Sequence, residues 1–248
     1  MEHLTGSLLA ALVLSMVYVL GTWLSRQDET EGMWSRRRII SAAAGVSVAY
    51  VFLDVLPELG TQHLTFLRAA HEGILFEEER IYILALISFV LLYGLDHMVM
   101  SKREQRKETL TEGKPDATYW VHLMGFAAYS AMIGYLLVER AERGAASLIV
   151  YALAMSIHFL IVDHSMREEH NGVYERTGHW FLALSVLAGW LIGVSTPFSE
   201  MVFARLFAVL AGGVVIESLR SELPGDRKGK FWPFCLGAFV FALLIMLA

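Results

Sequence analysis

The chain has 248 residues, of which 56% are hydrophobic and 18% charged, and its formal net charge is -5. A mean hydropathy of +0.51 is too apolar for an ordinary soluble domain of this length, and a pI near 6.0 offers no basic face for nucleic acid. The bilayer is the solvent this composition calls for, and the lone Cys235, with no partner for an internal disulfide, says nothing about redox compartment.

A hydrocarbon core of roughly 30 Å takes about 20 apolar residues per helix. Runs near that length occur at 5–25, 39–60, 81–100, 118–138, 145–163, 179–195, 202–222 and 231–248, which predicts eight transmembrane helices. Backbone groups left unpaired in lipid are costly, so these runs read as helices, and the alternating pattern of a β-barrel is absent. The first run has no basic stretch before it and no Ala-x-Ala site after it, so it is expected to be a retained span.

Of the 20 Lys and Arg residues, fourteen fall in the connections 26–38, 101–117, 164–177 and 221–230, against Arg68, Arg80, Arg140 and Arg143 on the opposite side. The excess of positive charge predicts that the first set is cytoplasmic and that both termini are not. Trp23, Trp34, Trp120, Trp180 and Trp232 fall near predicted span ends, where interfacial aromatics belong. The polar stretches 101–117 and 61–80, the latter with His63, His71 and the run Glu77, Glu78, Glu79, read as solvated connections.

Residues 44–57 (AGVSVAYVFLDVLP) align without gaps on residues 211–224 (AGGVVIESLRSELP) with five identities, including the opening Ala-Gly and the closing Leu-Pro. The two segments lie in spans two and seven, which cross in opposite directions. The repeat is therefore inverted, relating spans one to three with six to eight around a central pair, a design that recurs in transporters with midplane sites.

Ionisable residues within the spans are expensive unless they face a cavity or a partner. Asp54 and Glu58 share a face at i,i+4 around Pro57, and Glu217 and Arg220 stand at i,i+3. Both pairs also have a purely structural reading, as capping groups or a self-neutralising pair. Span five carries His158, Asp163 and His164, followed by Glu168, Glu169 and His170, an imidazole and carboxylate set suited to first-row divalent metals. On an ideal helix His158 and Asp163 are about 140° apart, so one ion would need a second helix. His122 of span four is the nearest candidate, its plainer reading being an interfacial histidine. Asp96 and His97 read as interfacial, and His158 reads equally well as a core histidine.

With these residues in view, the chain resembles the ZIP family of divalent-metal transporters. The resemblance implies an all-α integral membrane protein of eight spans in a 3+2+3 inverted repeat, forming one membrane domain over 1–248. Residues 1–100 would be the first three-helix unit, 118–163 the central pair and 179–248 the second unit. Leu56-Pro57-Glu58 matches the Leu-Pro-Glu ending of the family's span two, and 211–224 its Ala-Gly to Leu-Pro stretch in span seven, with Gly225 where the family often has Glu.

The departures lie at the ligands. Anchored on Ile133-Gly134, the family's span-four motif His-Asn-x-x-Asp-Gly falls on Gly125, Phe126, Tyr129 and Ser130, and its span-five motif leaves only His158 and Asp163. The expectation that follows is a zinc-like divalent cation moved through a reduced metal site of His158, Asp163, His164 and His122. Asp54, Glu58 and Glu217 would lie along the pathway, with no enzymatic activity and no permanently bound cofactor. The alternatives are a ZIP-fold carrier of protons or another solute, and a non-transporting membrane interaction protein. A catalytic metal cluster of Asp163, His164, Glu168, Glu169 and His170 is a more distant reading with no catalytic motif behind it. Lipid surroundings in a bacterial inner membrane are expected, and the resemblance implies a homodimer, for which Gly189 and Gly193 offer a small-x-x-x-small face; no nucleic-acid partner is expected.

Overall fold

The computed structural model describes residues 2–24, 36–69, 79–107, 117–196, 199–222 and 230–247. Every regular element among them is helical: α1 (Glu2–Leu24), α2 (Arg36–Tyr50), α3 (Leu56–Ala69), α4 (Arg80–Lys107), α5 (Ala117–Glu142), α6 (Ala145–Val173), α7 (His179–Ser195), α8 (Glu200–Glu222) and α9 (Phe231–Leu247). Six stretches are long and apolar enough to cross a membrane: His3–Gly21, Arg38–Leu64, Ala117–Glu142, Ala145–His170, Tyr174–Ser195 and Glu200–Ser218. The predicted spans at 81–100 and 231–248 coincide with α4 and α9, whose described apolar stretches, Arg80–Leu95 and Phe231–Leu247, are shorter. Leu9, Leu91, Leu184 and Phe239 stand exposed on the outer faces of their helices, apolar surface of the kind lipid covers.

His71, Glu77, Glu78, residues 108–116, Trp34, Leu223, Pro224 and Gly225 lie outside the described residues, as do the side chains of Trp23, Asp96 and Arg220.

Two π-helical turns interrupt the α-helical pattern. Val51–Val55 joins α2 to α3 directly ahead of Pro57. Proline supplies no N–H, and its ring collides with the carbonyl of residue 53 in a regular helix, so a widened turn upstream accommodates it. The second turn, Tyr174–Gly178, joins α6 to α7. Gly6 and Ser7 of α1 meet Leu148 of α6 and Trp190 of α7. Gly21, near the other end of α1, meets Asp163 of α6, so α6 runs with α1, whereas Ser15 bonds to Ala183 and α7 runs against it. The chain therefore doubles back around this turn. The polar connection expected at 164–177 is itself helical, because hydrophilic residues end a span without ending the helix that carries it.

Close helix packing is set by glycines. Gly134 of α5 abuts the Val186 carbonyl of α7, and Gly189 of α7 abuts Ala131 of α5, so the Gly189 and Gly193 face is taken up inside the chain. A Cβ on Gly45 of α2 would press on the Phe234 carbonyl and lie 2.9 Å from the Ala238 amide nitrogen of α9. One on Gly212 of α8 would press on the Ala85 carbonyl and lie 2.9 Å from the Phe89 amide nitrogen of α4. Gly237 of α9 meets the Ala42 carbonyl, and Ser88 of α4 donates to the Val209 carbonyl at 2.7 Å. Removing side-chain bulk at such crossings lets backbones approach, the packing mode helices use in lipid.

Between α5 and α6 the connection is only Arg143 and Gly144. Gly144 has φ +126°, a left-handed conformation that other residues adopt at a cost.

Candidate functional site

The α5–α6 hairpin carries most of the candidate residues. His158 is 1% exposed, and neither ring nitrogen has a hydrogen-bond partner among the described residues. Its ring sits 5.6 Å from that of Tyr129 and 6.3 Å from that of Phe159, and Phe159 in turn stacks on Tyr18 at 4.6 Å. An unpaired imidazole in an apolar setting is neither a satisfied core histidine nor a loaded ligand. Two positions of the family's span-four motif, those of its Asp and Gly, do packing work instead. Tyr129 donates to the Leu210 carbonyl of α8 at 3.2 Å, and Ser130 shares a 2.9 Å hydrogen bond with Tyr18 of α1.

Asp163, also buried, is not free to bind a cation alone. Arg167, one turn later on α6, grips both of its oxygens at 2.8 and 3.0 Å, and the Tyr174 hydroxyl donates to it at 2.8 Å. Gly21 of α1 leaves the room this carboxylate occupies, since any Cβ there would collide with it. Arg167 also approaches Glu175 at 3.8 Å. His164 lies 3.4 Å from Glu168.

At the opposite end of the hairpin, carboxylates of the first π-turn and of α3 meet Arg140 of α5 and Arg143 of the connection. Asp54, inside the first π-turn, is 3.4 Å from Arg140, and Glu58 is 2.7 Å from Arg143. Arg143 also pairs with Glu139, and Glu58 accepts from Gln62 at 2.6 Å. The guanidinium of Arg140 lies over Tyr151 and Phe207, that of Arg143 over Phe203. Charge pairing and cation–π contact together hold these long side chains. Glu217 is buried on α8. His63 packs on Tyr82, and His97 is exposed on α4.

Among the described residues, one group of His, Cys, Asp or Glu side chains has its ligand atoms converging: His122 of α5 with Glu169 and His170 of α6, all within 4.8 Å of one another. His122 Nδ1 is 2.9 Å from His170 Nε2 and 3.4 Å from Glu169 Oε2. The structure thus brings His122 together with two residues of the helix's last turns and leaves His158, Asp163 and His164 outside that group. Arg140, Arg143, Arg167 and Tyr174 carried no sequence signal as site residues, apart from the i,i+4 spacing of Asp163 and Arg167.

Compared with protein-family models, with curated proteins and with solved structures, the chain matches none of them.

Proposed function

We propose that this chain is an integral membrane transporter of eight spans in a 3+2+3 inverted repeat, ZIP-like in layout, moving a zinc-like divalent cation through the α5–α6 pair. The observation that carries the layout is the agreement of contacts made by the two halves. In the sequence alignment Gly45 corresponds to Gly212, and a Cβ at either would meet a carbonyl and an amide four residues apart, on α9 and α4 respectively. Carried two residues back, that register sets Ala42 against Val209, and the offset that equates Phe234 with Ala85 and Ala238 with Phe89 equates Gly237 with Ser88; Gly237 meets Ala42 as Ser88 meets Val209. An internal two-fold relation of this kind is the design in which one half rocks against the other around a fixed site. The unpaired imidazole of His158 sits in the middle of the central pair, where a cation in transit would exchange water for nitrogen.

A second reading is favoured by a separate observation: Asp54, Glu58, Glu139 and Asp163 each meet an arginine, which leaves those carboxylates with less charge to offer a cation. In that case the scaffold carries protons or another solute, or serves helix packing alone. Uptake of zinc into proteoliposomes separates the two. Wild-type uptake that falls in His158→Ala supports metal transport; a pH gradient discharged without zinc uptake supports the carrier of protons. Absence of both fluxes leaves the interaction role.

A further inference from the structure

We infer that His122, Glu169 and His170 form a binding site for a first-row divalent transition-metal ion at the end of the α5–α6 hairpin where the Lys- and Arg-rich connections lie. The site is distinct from the His158 position and does not depend on the transport reading.

Consecutive residues on a helix diverge by about 100°, so Glu169 and His170 do not ordinarily reach one point. Here α5 runs into the angle between them, and His122 meets both. A tetrahedral ion with metal–nitrogen and metal–oxygen distances near 2.0–2.2 Å holds its ligand atoms about 3.2–3.6 Å apart. The observed separations of 2.9 and 3.4 Å, within a group no wider than 4.8 Å, are close to that spacing before any ion is present. Side-chain shifts of about 1 Å, shared between the ligands, would complete it.

The surroundings fit a metal site rather than a solvated cluster. His122 is 0% exposed, and the Glu169 side chain is 5% exposed. The ring of Phe126 lies 4.9 Å from His122, and that of Tyr119 lies 5.1 Å from His170, so aromatic walls limit access of bulk water. Ser165 Oγ reaches the other oxygen of Glu169 at 3.4 Å, steadying the carboxylate from behind. Two imidazoles and one carboxylate favour zinc, cobalt or iron(II) over magnesium or calcium, which prefer all-oxygen shells. Three protein ligands leave at least one coordination position for water, the arrangement of an exchangeable ion rather than a sealed structural one.

The test is cobalt(II) binding to the full chain in detergent, stripped of metal beforehand and followed by visible absorption and calorimetry. One cobalt per chain, displaced by zinc and not by excess magnesium, is expected. His122→Ala and His170→Ala should each weaken binding at least about tenfold, and His97→Ala, at an exposed histidine outside the group, should not. Glu169→Gln keeps the side-chain shape and removes the charge, so it decides the matter if an alanine variant fails to fold; it too should weaken binding. No cobalt bound by wild type overturns the site, as does unaltered affinity in Glu169→Gln. A protein that binds cobalt yet moves no metal keeps this site and loses the transport reading, whereas uptake without it does the reverse.

Discussion

Arg167 determines what Asp163 can do. A buried carboxylate held by a two-point guanidinium contact and a tyrosine hydroxyl is stable only while the arginine is there. Arg167→Met is therefore expected to lower stability by about 3–5 kcal/mol, read as a drop in the detergent melting temperature. Asp163→Asn on top of Arg167→Met should recover part of that loss, because the uncompensated charge is gone. Equal melting of the single and double variants would show that the pair is not coupled. The spacing of Asp163 and Arg167 is visible in the sequence, but Arg167 also reads as a positive charge at a span end, and only the continuation of α6 past residue 163 turns it inward. Asp54 and Arg140 are 86 residues apart, and no local pattern announces their meeting. His122, Glu169 and His170 can each be read as candidate ligands from their chemistry. Their convergence depends on the crossing of two helices, which periodicity does not carry.

Among helices, the hydrophobic runs predict where α1, α5, α7 and α8 lie to within a few residues, because length of apolar sequence is what a bilayer selects. They do not show that α2 continues through a π-turn into α3, since that depends on how the carbonyls ahead of Pro57 are rearranged. The repeat in 44–57 and 211–224 is legible as sequence, and its physical meaning is clearest at the glycines. Gly45→Val and Gly212→Val should each force a helix pair apart, with a cost of about 1–3 kcal/mol and loss of a monodisperse peak in size-exclusion chromatography. Gly94→Ala, where a Cβ meets nothing within 4 Å, should leave that peak unchanged. Equal behaviour of all three would refute the assigned packing roles.

At the scale of the molecule, the distribution of Lys and Arg predicts which face meets the cytoplasm. In a Cys235→Ser background, Ser101→Cys and Glu142→Cys place single thiols at exposed positions near opposite ends of the bundle. An impermeant thiol reagent added outside intact cells should label the second and spare the first; the reverse result inverts the topology. The turn at Gly144 bears on how the bundle moves. With only two residues between α5 and α6, and with Arg140 spread across Tyr151 close by, the hairpin is riveted at one tip. A two-residue connection gives little room for one helix to slide along the other, so spreading is easiest at the far tips, as in tweezers. Those tips carry His122 on one arm and Glu169 and His170 on the other, so any ion held between them works against the widest displacement the hairpin permits.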